Sequence, residues 1–113
     1  MFNVLGLISQ QLFRRLVRMK LLSVSPSHLP EKKLDAKFET DSGRTKTVSF
    51  GAKGMDDYTK THDQEQRARY IHRHAAKENW NKLDSPGALS RWILWGESTS
   101  LMKNISNYKK RVN

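Results

Sequence analysis

Two alternating stretches around a short turn restrict the fold more than any other feature. In "LDAKFET" (34–40), Leu34, Ala36 and Phe38 fall on one side, and Asp35, Lys37 and Glu39 fall on the other. After "DSGR" (41–44), "TKTVSFG" (45–51) repeats the period with Val48 and Phe50. Successive side chains of an extended chain point to opposite faces, so this alternation predicts two half-buried strands. A Gly-containing turn between them predicts a β-hairpin. A lone hairpin is marginal in water, so its apolar face needs a cover from elsewhere in the chain.

Helical patterns supply that cover. "DQEQRARYIHRHAAKENW" holds no Pro or Gly and predicts a helix over about 63–79, with Tyr70, Ile71, His74 and Ala75 facing inward. Thr61 and Gln64 have the spacing of a capping box at its start. Ser85 as N-cap and Pro86 in the first turn open a second helix over 86–95, ended by Gly96. On it Leu89, Trp92 and Ile93 share one face, while Trp95 points elsewhere and is the candidate outward anchor for a partner. A third helix follows "STS" (98–100), with Leu101, Ile105, Tyr108 and Val112 at helical spacing. The expected class is α+β: a β-hairpin packed against about three short helices, over residues 34–113.

Ahead of this body, Leu5, Ile8, Leu12, Leu16 and Met19 line one face of a helix read over 3–22, widened by Phe13 and Val17. Arg14, Arg15 and Arg18 lie opposite, and these arginines interrupt the apolar run well short of a membrane span. Such an arm (1–22) has the look of a mitochondrial transit peptide, of a helix lying on a membrane interface, or of a helix docking on protein. Docking, on protein or membrane, is the preferred reading, with Leu5, Ile8, Leu12, Phe13 and Leu16 as the partner-binding side chains. "SVSPSHLPEKK" (23–33), with two prolines and three serines, reads as an extended linker.

The 113 residues carry 21 Lys and Arg against 11 Asp and Glu, a net charge of +10. The excess sits at the two ends: six basic against one acidic over 1–34, and six against two over 81–113. Basic contact candidates are therefore Arg14, Arg15, Arg18 and Lys20 at one end and Lys109, Lys110 and Arg111 at the other. Arg69 and Arg73 add an i,i+4 pair on the 63–79 helix. Charge of this kind seeks a polyanion: DNA, an anionic membrane surface, or an acidic protein lattice.

Catalytic chemistry finds no foothold. There is no cysteine, so disulfides and thiolate metal sites are excluded. His28, His62, His72 and His74 lack zinc-ligand spacing. "GAKG" (51–54) reads as the end of a strand and not as a phosphate loop, because no Gly-Lys-Ser/Thr follows. Asp56 and Asp57 fall in an open polar loop, and no nucleophile is paired with a base. The expectation is a chain without enzymatic activity, catalytic residues, metal, cofactor or small-molecule substrate.

The order "KKLDAKFE", "KTVSFGAKGMDDYT", "RARYIHRH", "ENW", "GALSRWILWG" and "YKKR", over roughly 32–111, resembles a family of small basic proteins. That family belongs to large DNA viruses of algae (phycodnavirus-like) and related giant viruses, and it has no assigned activity. The resemblance implies a context, a place in an icosahedral particle, and in that context the expected role is structural: a minor capsid (cement) protein that bridges capsomers on the inner face of the shell. Its implied partners are the major capsid protein and other minor capsid proteins, and the chain would be made in the host cytoplasm. Two alternatives accompany it: a virion DNA-binding or packaging protein, and a peripheral membrane protein anchored by residues 3–22.

Overall fold

The computed structural model describes residues 19–113. Three antiparallel strands form one sheet in the order β1 (Lys20–Pro26), β2 (Lys32–Glu39), β3 (Thr45–Ala52). β2 and β3 are the predicted hairpin, with Ala36 opposite Val48 and Leu34 opposite Phe50. Its turn closes through Thr40 N to Arg44 O (2.8 Å) and Gly43 N to Thr40 O (2.9 Å). Gly43 has φ 80°, a conformation that costs glycine nothing.

β1 corrects the expected linker over 23–33, because residues 23–26 lie in the sheet. Leu21 sits opposite Phe38 and Val24 opposite Ala36, with a register shift between Leu21 and Ser23. This bulge leaves Leu22 as the extra residue, so Leu21 and Val24 face the core although they are three apart. As the edge strand, β1 tolerates Pro26, which has no N–H to give. Of the helix read over 3–22, Lys20–Leu22 belong to this strand, and residues 1–18 lie outside those described.

The helices α1 (Tyr58–Thr61), α2 (Gln64–Ala75), α3 (Pro86–Leu89) and α4 (Leu101–Val112), with a π-helical turn at Ser90–Leu94, complete the α+β body. Their side chains meet the inner face of the sheet in one core: Leu21, Ala36, Phe38, Val48 and Phe50 below, Leu89, Ile93, Leu94, Trp95 and Tyr108 above. Local chemistry sets each start. Asp63, not Thr61, caps α2, accepting from the N–H groups of Glu65 and Gln66 at 3.0 Å. The Thr61 hydroxyl instead donates to Gln66 Oε1 (2.8 Å). Ser85 caps α3 as expected, accepting from Ala88 N (3.1 Å). α2 stops at Ala75, short of the expected 79, where Lys77 N turns back to His74 O (3.0 Å). Beyond it Glu78 contacts His74 Nδ1 and accepts from Trp80 Nε1 (2.9 Å).

The stretch 86–96 departs most from expectation. Trp95 N donates to Ser90 O (3.0 Å), five residues back, so the helix holds one more residue in that turn than an α-helix does. The extra residue rotates the side chains that come after it. Trp95, expected to point outward, is 8% exposed and stacks on Tyr70 with ring centroids 4.3 Å apart and planes 6° apart. Gly96 closes the turn because nothing larger fits: a Cβ there would lie 2.4 Å from Trp92 O and 2.7 Å from Asn104 Cγ. Asn104, fully buried, sends Nδ2 to Ile93 O (2.9 Å) and Ser98 O (2.8 Å), and its Oδ1 accepts from Ser98 N (3.1 Å).

Candidate functional site

The sheet side holds a buried carboxylate that is fully answered. Asp35 lies on the sheet face opposite the core, yet the turn at Ser27 and His28 covers it to 8% exposure. Oδ1 accepts from the hydroxyls of Ser27 and Ser49, each at 2.6 Å, and Oδ2 accepts from His28 N at 3.0 Å. His28 Nδ1 lies 2.5 Å from the same oxygen. Hydrogen bonds from His28 first, then Ser27 and Ser49, hold this carboxyl well below the usual carboxylate range. The cluster contains Ser, His and Asp in the wrong order for acyl transfer. Both serines donate to the aspartate, and neither bonds the imidazole that would have to activate it. It orders a turn. Asp57, expected in an open loop, is also buried: it caps α1 through Thr59 N (2.9 Å) and meets Lys33 Nζ at 2.5 Å.

The helical end is different. Arg67 Nε donates to the carbonyls of Trp95 (3.1 Å) and Gly96 (2.8 Å), and Arg91 Nη1 donates to Trp95 O (3.1 Å). Two guanidiniums thus seal the carbonyl end of the π turn, where backbone acceptors have no helical partner. Arg91 Cζ lies 5.2 Å from the Trp80 ring centroid and 4.1 Å from that of Trp92. Arg111 Cζ lies 3.8 Å from the Trp92 centroid. Burial, and then the charges of Arg67 and Arg111, pull the Arg91 guanidinium below its ordinary pKa. Among the described residues the ion pairs are made by lysines and histidines, and no arginine takes part. Residues 1–18 contain no Asp or Glu to supply a partner. Glu97 lines a depression of about 210 Å³ together with Trp92, Asn104, Asn107, Tyr108 and Arg111. The buried Arg91 Nε and Trp92 Nε1 meet no acceptor.

The structure gathers some of the expected contact residues and separates others. Leu21 N donates to Asn113 Oδ1 (2.9 Å), which ties the start of β1 to the end of α4. The exposed Lys20 therefore shares a corner with the last turn of α4, where Lys109, Lys110 and Arg111 are also exposed. Arg69 and Arg73 stand on the outer face of α2, along a shallow cleft of about 420 Å³ that Met55, Gln66 and the edge of Trp95 also line. Leu5, Ile8, Leu12, Phe13, Leu16, Arg14, Arg15 and Arg18 lie outside the described residues. Arg67, Arg91 and Trp92 join the candidate surface only in the structure. The adjacency of Arg91 and Trp92 is the one local signal for them, since their partners are remote in sequence. Among the described residues, no group of three His, Asp or Glu side chains is placed to hold a metal ion. No described helix is long and apolar enough to cross a membrane.

A DUF5754 domain, from a family of unknown function, is found at residues 22–74. It begins inside β1 and ends inside α2, so it takes in the sheet, Asp35 and Asp57 and stops short of Arg91, Trp92 and Arg111. No curated protein and no solved structure matches the chain.

Proposed function

We propose that the chain is a structural, non-catalytic component of a virus particle: a minor capsid protein that bridges capsomers on the inner face of an icosahedral large-DNA-virus shell. The partners in this reading are the major capsid protein and other minor capsid proteins. The observation that carries it is the corner where Leu21 bonds Asn113. Residues 1–20 and 101–113 each hold four basic residues and no acidic one, and the bond brings Lys20 to the last turn of α4, where Lys109, Lys110 and Arg111 are exposed. A body that gathers Lys20, Lys109, Lys110 and Arg111 at one corner suits a protein that grips neighbouring subunits. The resemblance over roughly 32–111 supplies the viral setting, and the family match at 22–74 leaves function open.

The test is cross-linking mass spectrometry on purified particles, after detection of the chain in them. Cross-links from Lys20, Lys109 or Lys110 to capsid-protein peptides are expected. Absence from particles refutes the reading, and recovery only with the DNA-containing core, without capsid links, replaces it with a packaging role.

A further inference from the structure

We propose that the surface built by Arg91, Trp92 and Arg111 is a binding site for the phosphodiester backbone of a nucleic acid, independent of sequence. The site stands whether or not the chain is part of a particle.

Three observations carry it. First, positive charge there is in excess. Arg91 and Arg111 share one tryptophan ring, at 4.1 and 3.8 Å from its centroid, so their Cζ atoms are at most about 8 Å apart. Arg67 adds a third guanidinium close enough to depress Arg91. Against these stands the single carboxylate of Glu97 at the depression. Like charges held this close are unfavourable unless an anion completes them. Second, the guanidiniums are oriented. Packing against an indole fixes the plane of the fork while leaving edge N–H groups to donate, and that fork matches phosphate oxygens. Arg67 and Arg91 spend two nitrogens on Trp95 and Gly96, while Arg111 donates to no described acceptor. Third, the array is extended. Lys109 and Lys110 add exposed charge on the same last turn of α4, on faces turned about 200° and 100° from Arg111. One strand presents a phosphate about every 3.4 Å of axis, so cations spread around a helix end gain more from a polyphosphate than from a single small anion.

Lipid phosphate would offer the same oxygens, but the surface is ill-suited to a bilayer. The exposed large apolar side chains of the described residues are Leu22, Met55 and Met102, and none lines the depression. The ring of Trp92 is engaged by two guanidiniums, at 4.1 and 3.8 Å from its centroid. An acidic protein lacks the fixed spacing of a phosphodiester chain.

The experiment is fluorescence anisotropy of a labelled DNA duplex titrated with the full chain between about 50 and 200 mM salt. Log affinity should fall linearly with log salt, and Arg111→Gln should lower the slope by about 0.9, the share of one phosphate contact. Lys37→Gln removes the same charge from the opposite face of the sheet and should leave the slope nearly unchanged. Arg111→Lys should keep the slope but lose affinity, because the flat fork is gone. Far-ultraviolet circular dichroism and a cooperative urea transition in each variant, matching the parent, show that it is folded. Equal slope losses for Arg111→Gln and Lys37→Gln would overturn the site in favour of net charge alone. Polyglutamate competing as well as unlabelled DNA, or anionic vesicles bound more tightly than DNA with the same dependence on Arg111, would overturn the nucleic-acid assignment.

Discussion

On the outer side of the sheet, Asp35 meets Ser27, Ser49 and His28 through four contacts of 3.0 Å or less. At the helical end, Arg91 and Arg111 share the ring of Trp92, and neither pairs with a carboxylate. Both places put ionised groups in partly dry surroundings, but only the first completes them internally. A buried charge whose hydrogen-bonding capacity is filled by its own chain is a fastening. Charges brought together and left open are held ready for something outside. The family match at 22–74 includes Asp35 and Arg67 and ends before Arg91, Trp92 and Arg111.

The largest effects should come from the core that both regions stand on. Phe38, fully buried between Leu21 and Lys46 in register, is at the centre of the sheet. Phe38→Ala should destabilise by about 3–5 kcal/mol, measured by urea unfolding. A loss below about 1 kcal/mol would mean that the sheet is not the foundation, and that the helical end folds on its own contacts. Asn104 comes next. It holds the carbonyls of Ile93 and Ser98, and so keeps the π turn and Trp95 in place. Asn104→Ala should cost about 1–3 kcal/mol for the stranded backbone groups and weaken the near-ultraviolet signal of the tryptophans. An unchanged aromatic signal would show that Gly96 and the Tyr70 stack set the turn without it.

Legibility in the sequence obeys the same divide. The β2–β3 hairpin is legible because Leu34, Ala36, Phe38, Val48 and Phe50 keep one period. β1 is not, because its bulge at Leu22 spaces Leu21 and Val24 three apart, as a helix would. Asp35 obeys the alternation, which assigns it to solvent. Its burial depends on a turn, at Ser27 and His28, that period two cannot show. Trp95 escapes the pattern for a related reason: counting α-helical steps from Leu89 ignores the extra residue at Ser90–Leu94. The basic ends are legible as composition, but the approach of Lys20 to the last turn of α4 is not, since it rests on a bond between Leu21 and Asn113, 92 residues apart. The Arg91, Trp92 and Arg111 group likewise needs α4 folded back over the π turn.

A pH experiment separates the two kinds of charge. Asp35 has a lowered pKa in the folded chain, against about 3.9 when unfolded, so in acid the unfolded chain binds the extra proton. Its contribution is therefore fully present above about pH 4 and is lost as pH falls below that value toward the folded pKa. The urea midpoint should fall on the acid side of pH 4 in the parent, and fall less in Asp35→Asn, where no such proton is taken up. Parallel acid limbs in the two proteins would show that the serine and histidine bonds do not favour the charged carboxylate. That result would remove the contrast with the arginines.

The smallest expected change is the most discriminating. Arg111 gains about 0.5–1 kcal/mol from lying over Trp92 at a wet surface, and it gives up a similar amount by standing near Arg91. Arg111→Gln should thus leave the urea midpoint within about 0.5 kcal/mol of the parent, or raise it slightly as repulsion on Arg91 is relieved. A side chain that contributes nothing to folding, yet is held against an indole beside two other guanidiniums, is kept for a contact that the isolated chain does not make. A clear loss of stability in Arg111→Gln would place Arg111 with Asp35 among the fastenings. The open cluster would then be a second closed one, completed by the aromatic ring instead of a carboxylate.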